Sequence, residues 1–220
     1  MTDKTPHTSI ERIGIDESGK GDYFGPLVIA AVFVDAITQG ELTLMNVRDS
    51  KKISDGRILE MAPDIRMLCP HSIIAIGPQR YNELYAKIRN LNRLLAWGHA
   101  KALETLLEKV SCGRAIADQF GDERLIVNAL QEKGRTIVLE QRPKAETDLA
   151  VAAASILARA EFLLRLKRLS DEIGTTLPKG ASPAVELAGR MIVKKHGEER
   201  LRLIAKLHFK TTQSVLGTKG

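Results

Sequence analysis

Residues 10–34 read IERIGIDESGKGDYFGPLVIAAVFV, and this stretch decides the fold. Two apolar runs rich in β-branched residues, 10–15 and 26–34, bracket a segment that holds Gly19, Gly21 and Gly25. The pattern predicts two buried strands joined by a tight turn. The first strand ends on Asp16 and Glu17. Adjacent side chains on a strand point to opposite faces, so both acids reach one site only where the backbone bends, which the glycines permit. Two carboxylates held together repel, and a divalent cation relieves the repulsion. Hard carboxylate oxygens suit Mg²⁺ or Mn²⁺. Gly19-Lys20-Gly21 leaves room for backbone N–H groups to approach a phosphate or a ribose hydroxyl. The plainer reading is a turn with solvated acids. A nucleotide phosphate loop fails on detail, because Gly21 stands where a Ser or Thr must follow the lysine.

Outward from this corner, strands come early and then alternate with helices. The runs 42–47, 71–76, 113–120 and 135–139 read as further strands. Helical spacing covers 79–110 and 122–133. The Ala- and Leu-rich segment 149–169 is the clearest helix, and 184–207 holds two more beyond a loop at 177–183. This is an α/β pattern with a mixed sheet and C-terminal helices. Residues 1–9 read as a flexible tail and 10–220 as one continuous domain.

Composition narrows the class. Of 220 residues, 44% are hydrophobic, ample for a core, while aromatics at 4% argue against a long stacking platform for single strands. The net charge of +6 is uneven. Residues 1–150 carry 20 Lys and Arg against 21 Asp and Glu, whereas 151–220 carry 13 against 6. Acids for a metal thus precede bases for phosphates, although a basic helix pair would give the same imbalance. Cys69 and Cys112 have neither zinc nor disulfide spacing. No run approaches the roughly 18 apolar residues of a membrane span, and the N-terminus lacks a signal-type run. A cytoplasmic protein without a membrane partner is expected, acting as a monomer.

The motif DESGKGDYFGPLVIAAVFV resembles the opening active-site motif of type 2 ribonucleases H, in the form found in ribonuclease HIII. Further matches follow in family order: DSKK at 49–52, DQF at 118–120, KAE at 144–146 leading into AVAAASILAR at 150–159, LPKGASP at 177–183 and KLHFKTTQ at 206–213. The resemblance spans about residues 10–217. It implies a ribonuclease H-like mixed sheet flanked by helices. It implies an endonuclease that hydrolyses the RNA strand of an RNA/DNA hybrid with two Mg²⁺ or Mn²⁺ ions, leaving 5′-phosphate and 3′-hydroxyl ends. Carried over by position, Asp16, Glu17 and Asp118 become metal-site carboxylates and Glu146 the fourth. The chain is one residue shorter between that acid and the following helix, so Asp148 stays open as an alternative, and Asp148 also reads as a helix N-cap.

The resemblance further implies that Gly19, Lys20 and Gly21 touch ribose 2′-hydroxyls and that Asp49, Ser50, Lys51 and Lys52 lie near the substrate backbone. Lys144 and Lys179 are expected on phosphates. Ser155 reads either as a phosphate contact or as a packing residue, and His196 and His208 as structural. Ribonuclease HIII proteins carry an N-terminal substrate-binding domain, whereas about nine residues precede the first strand here. Gly-Lys-Gly in place of the Gly-Arg-Gly of ribonuclease HII, with Tyr85 the last tyrosine, predicts a preference for runs of ribonucleotides. A non-catalytic hybrid-binding protein is the alternative function.

Overall fold

The computed structural model describes residues 10–120, 122, 124–130 and 134–217. The tail expected at 1–9 lies outside the described residues. Strands β1 (Arg12–Ser18), β2 (Leu27–Val34), β3 (His71–Ile76), β4 (Arg114–Asp118) and β5 (Val138–Arg142) form one sheet in the order β3-β2-β1-β4-β5. β2 runs antiparallel to both β1 and β3, whereas β4 runs parallel to β1 and to β5.

Period-2 alternation sorts the apolar residues onto two faces. Ile13, Ile15, Leu27, Ile29 and Ala31 join one buried cluster, and Val28, Ala30, Val32 and Val34 join the other. Each fully buried Ile, Leu or Val side chain contributes roughly 1.5–3 kcal/mol relative to exposure. The first face is covered by α3 (Pro78–Ile88), α4 (Leu91–Leu107) and α5 (Arg124–Ala129). The second is covered by α1 (Ala36–Leu44), α2 (Asp55–Leu68) and α6 (Leu149–Ile173).

Helix α6 lies almost on the backbone of β1. A Cβ built at Gly14 would sit 2.1 Å from the Ala150 carbonyl carbon, so only glycine fits there. The buried alanines at 150, 152, 153, 154 and 158 add little bulk to α6. On the opposite side, a Cβ at Gly98 of α4 would meet the Ile29 Cδ1 at 2.7 Å.

Three expectations are corrected. The run 42–47 is no strand: α1 occupies 36–44, because Asp35 and Thr38 form a capping box at its start and the buried pair Thr38 and Leu42 has helical spacing. The long helical stretch 79–110 is two helices, broken where Arg89 adopts φ 51° and Asn90 caps α4. The strand expected at 135–139 begins three residues later, after a 3-10 turn at 134–136. Ile58, Met61, Ala62 and Ile65 at helical spacing build α2, a helix that the apolar runs alone do not reveal. The C-terminal region holds α7 (Pro183–His196), α8 (Leu201–Ile204) and α9 (Lys210–Leu216).

Candidate active site

β4 pairs with β1 only along Ile13–Ile15, so β1 extends past its neighbour and leaves a gap at the carboxyl ends of two parallel strands. In α/β sheets such a gap is where ligands bind. A cavity of about 260 Å³ opens there, and Asp16, Glu17, Asp118, Gly19, Lys20, Gly21, Ser50, Lys51, Ser155, Arg159 and Lys179 are among its lining residues. The backbone bend expected at the two acids is not needed. β1 stays regular through Ser18, which pairs with Val28. Asp16 and Glu17 reach one cavity from the two faces of the strand because the strand edge beside them is open.

The two faces give the acids different partners. Asp16 lies on the α6 side, where it takes a hydrogen bond from the Ser155 hydroxyl. The Ser155 and Ser50 hydroxyls are 2.7 Å apart, both buried. Burial and the neighbouring Glu17 charge raise the Asp16 carboxyl to about 7, against the lowering from Ser155, the Glu17 amide and Lys51. Glu17 lies on the α4 side. Its Oε2 accepts a hydrogen bond from His99 Nε2 at 2.9 Å and its Oε1 one from Lys20 Nζ at 2.5 Å. Burial alone would raise it, but His99 and Lys20 prevail and hold it well below the usual carboxylate range.

Asp118, at the end of β4, has Oδ1 3.3 Å from the Ala145 amide, a long contact. Among the described residues no three His, Cys, Asp or Glu side chains converge tightly enough, as they stand, to enclose an ion. Lys20 and His99 hold Glu17, and the Ala145 amide lies against Asp118. The donor set nevertheless fits a hard divalent cation. Two buried carboxylates are adjacent, the charge of Glu17 raises Asp16, and an ammonium already rests on Glu17. That lysine side chain is 46% exposed and free to move aside.

The glycine corner is fixed from afar. Gly19 has φ +89°, and a Cβ there would meet the Pro26 oxygen at 2.2 Å. Gly21 has no such need: a Cβ there would meet nothing within 4 Å, and its φ is not positive. The following turn is held by two late segments. The Asp22 carboxylate accepts from the Gly180 amide at 2.7 Å. The Lys206 ammonium, fully buried, donates to the Asp22 carbonyl at 2.6 Å and the Gly25 carbonyl at 2.8 Å. The motifs at 177–183 and 206–213 therefore meet the motif at 16–26. Asp55, which accepts from Arg159 at 2.6 Å and from Lys179, holds two of the cavity's cations.

Not every expected residue lines this cavity. Lys144 and Glu146 line a neighbouring one with Asp49 and Lys52. Asp49 caps a 3-10 turn at 50–52 by accepting from the Lys51 amide at 3.0 Å. Asp148 accepts from Arg12 Nε at 2.7 Å and caps α6 through the Ala150 amide at 2.8 Å. His208 stacks on Tyr85 with ring centroids 4.2 Å apart, and burial lowers it to about 4. His196 is exposed in the last turn of α7. Sequence reasoning missed Arg159, which lines the cavity, its partner Asp55, and His99. The signal for His99 was a polar residue inside the apolar face of a helix.

A model of the ribonuclease HII family matches residues 13–212. Ribonuclease HIII from Protochlamydia amoebophila (strain UWE25) is 50% identical over 218 residues, covering 99% of this chain and 71% of that protein. Ribonuclease HIII from Chlamydia pneumoniae is 46% identical over 211 residues, covering 94% and 71%. A crystal structure of Bst-RNase HIII in complex with Mn²⁺ superposes with a TM-score of 0.88 at 35% identity, covering 95% of this chain and 70% of that one. Aquifex aeolicus RNase H3 gives 0.74 at 31% identity, covering 90% and 72%. The sheet order, the acids at the open strand edge and these likenesses agree, and the chain belongs to the ribonuclease HII family, with the ribonuclease HIII proteins as its relatives.

Proposed function

We propose that this protein is a metal-dependent endoribonuclease that cuts the RNA strand of RNA/DNA hybrids and leaves 5′-phosphate and 3′-hydroxyl ends. The observation that carries this reading is one cavity in which three acids face four cations, Lys20, Lys51, Arg159 and Lys179, beside a glycine turn. Acids alone would repel a nucleic acid, and cations alone would bind it without cutting. Asp16, Glu17 and Asp118 hold the metal. Glu146 is the fourth acid in preference to Asp148, whose carboxylate is committed to Arg12 and to the helix cap. Glu146 stands next to Ala145, the residue whose amide lies against Asp118. Glu146→Gln should then lose cleavage without loss of melting temperature, whereas Asp148→Asn should cost about 3 kcal/mol of stability, read by denaturant unfolding.

Two Mg²⁺ or Mn²⁺ ions, when bound, supply Lewis-acid activation of the attacking water and stabilise the leaving 3′ oxygen. The chain's own groups do the rest. Lys51, Arg159 and Lys179 neutralise phosphate charge, and Asp55 keeps two of them in place. Gly21 offers backbone approach to a ribose 2′-hydroxyl, the atom that separates RNA from DNA. Its open surroundings support this, since neither packing nor backbone strain demands a glycine there. Lys20, now on Glu17, would be available to the substrate wherever a metal took its place. Lys144 and Lys52 extend the phosphate track along the neighbouring cavity. Runs of ribonucleotides are the preferred substrate.

The protein works as a cytoplasmic monomer; among the described residues no helix is long and apolar enough to cross a membrane. The test is an end-labelled RNA/DNA hybrid incubated with Mg²⁺, Mn²⁺ or EDTA beside RNA/RNA and DNA/DNA duplexes. Metal-dependent cutting of the hybrid's RNA strand alone is expected. A hybrid that is bound but uncut with either metal would overturn the enzyme in favour of a binding protein.

A further inference from the structure

His99 belongs to none of the motifs that mark this family in the sequence, and it is fully buried on α4. Its position has a cause that begins with Gly98. The missing side chain there lets α4 close to within contact of Ile29. Ile29 is the cross-strand neighbour of Glu17 in the β1–β2 ladder. The approach that Gly98 allows thus brings the next residue, His99, to Glu17, and Nε2 donates to Oε2 at 2.9 Å. Among the described residues the other ring nitrogen, Nδ1, has no hydrogen-bond partner, and the hydrogen bond of the imidazole is to Glu17. Its ring also packs on Phe120, with centroids 4.9 Å apart, two residues beyond Asp118.

We propose that His99 is a positioning residue: it fixes the rotamer of Glu17, and through Phe120 the end of β4, so that Glu17 and Asp118 present their oxygens to an incoming divalent cation. This rests on the proposed function, which makes those acids metal-holding. Glu17 lines the cavity, and its other oxygen is held by Lys20, whose side chain is 46% exposed. Without His99 the carboxylate would lose its one buried anchor and sample several rotamers, and each bound ion would have to immobilise it anew. Partners behind a ligating group typically change metal affinity by about 10- to 100-fold.

The test is calorimetric titration of the full chain with Mn²⁺ in the absence of nucleic acid. It is accompanied by hybrid binding in EDTA and by circular dichroism. H99L removes the donor, and H99Q keeps an N–H at similar reach. We expect H99L to weaken Mn²⁺ binding about 10- to 100-fold. H99Q should recover to within about threefold of the parent, and hybrid affinity in EDTA should not change. If H99L does not fold, H99N, whose amide stops short of Oε2, takes its place as the negative variant. A donor-less variant that binds Mn²⁺ as tightly as the parent would overturn the inference, as would H99Q binding as weakly as H99L. Both results leave the proposed function intact. A parent chain that takes up no Mn²⁺ at all would instead overturn the metal-dependent reading, and this inference with it.

Discussion

The two sides of β1 treat adjacent carboxylates in opposite ways. Towards α6, Asp16 meets the Ser155 hydroxyl, which is itself bonded to that of Ser50, and the charge of Glu17, and its carboxyl is held high at about 7. Towards α4, Glu17 meets an imidazole and an ammonium and is held low. The packing differs in the same sense. The α6 side is built of alanines pressed on Gly14, backbone against backbone, while the α4 side is built of larger side chains that can give way. Under the proposed function, one side would supply an acid that must lose its proton to hold a cation, and the other an acid that is already charged.

The largest break in this comparison is Asp16→Asn. It removes charge from the α6 side without emptying a core position. Cleavage of an end-labelled hybrid should fall on the order of 10³-fold or more, while circular dichroism and hybrid binding stay close to the parent. Retained cleavage would remove Asp16 from the site.

The packing contrast predicts the next effect. Gly14→Ala drives a methyl into the α6 backbone and should cost roughly 3 kcal/mol in denaturant unfolding. Gly98→Ala meets only the end of the Ile29 side chain, which can rotate, so its cost should be nearer 1 kcal/mol. Equal costs would mean that the two helices are packed alike.

The pH dependence sharpens the electrostatic contrast. Asp16 has a folded value raised from 3.8 to about 7. Its contribution to stability is therefore fully present below 3.8 and is lost as pH rises through 7. In EDTA the parent should lose melting temperature relative to Asp16→Asn across that window, and Mn²⁺ should restore it. Because the ion must displace the Asp16 proton, Mn²⁺ affinity should fall about tenfold per pH unit below 7, and calorimetry between about pH 5.5 and 8 reads it. A flat affinity profile would show that Asp16 is already ionised without metal.

The smallest expected effect concerns the glycine turn. Gly21→Ala should leave the melting temperature unchanged, since its Cβ enters open space, yet weaken hybrid affinity several-fold, a change of about 1 kcal/mol. Gly19→Ala should do the reverse, destabilising the fold through a strained φ and a clash with Pro26. Fluorescence anisotropy with a labelled hybrid, set beside thermal melts, separates the two.

Much of this was legible in the sequence, and what was not has physical reasons. The apolar runs of β1 and β2, the strand at 71–76, the long helix α6 and the acids beside a glycine turn are local patterns, written within about two dozen residues. The motifs scattered from 16 to 213 marked the family, though not why such distant pieces belong together. That answer is the Lys206 ammonium and the Gly180 amide, which tie the late motifs to the early turn across more than 150 positions. The run 42–47 reads as a strand, yet a capping box at Asp35 starts a helix over 36–44 that outweighs this short apolar run. The rivalry between Glu146 and Asp148 had no local resolution, since only the fold shows that Asp148 is engaged by Arg12, 136 residues away. By itself the sequence determined which chemical groups were present and how strands and helices alternate, because propensity and periodicity act between near neighbours. Only the tertiary structure decided the charge state and aim of the two acids. Those depend on burial and on partners such as His99 and Ser155, which reach Glu17 and Asp16 respectively only once α4 and α6 have closed on the sheet.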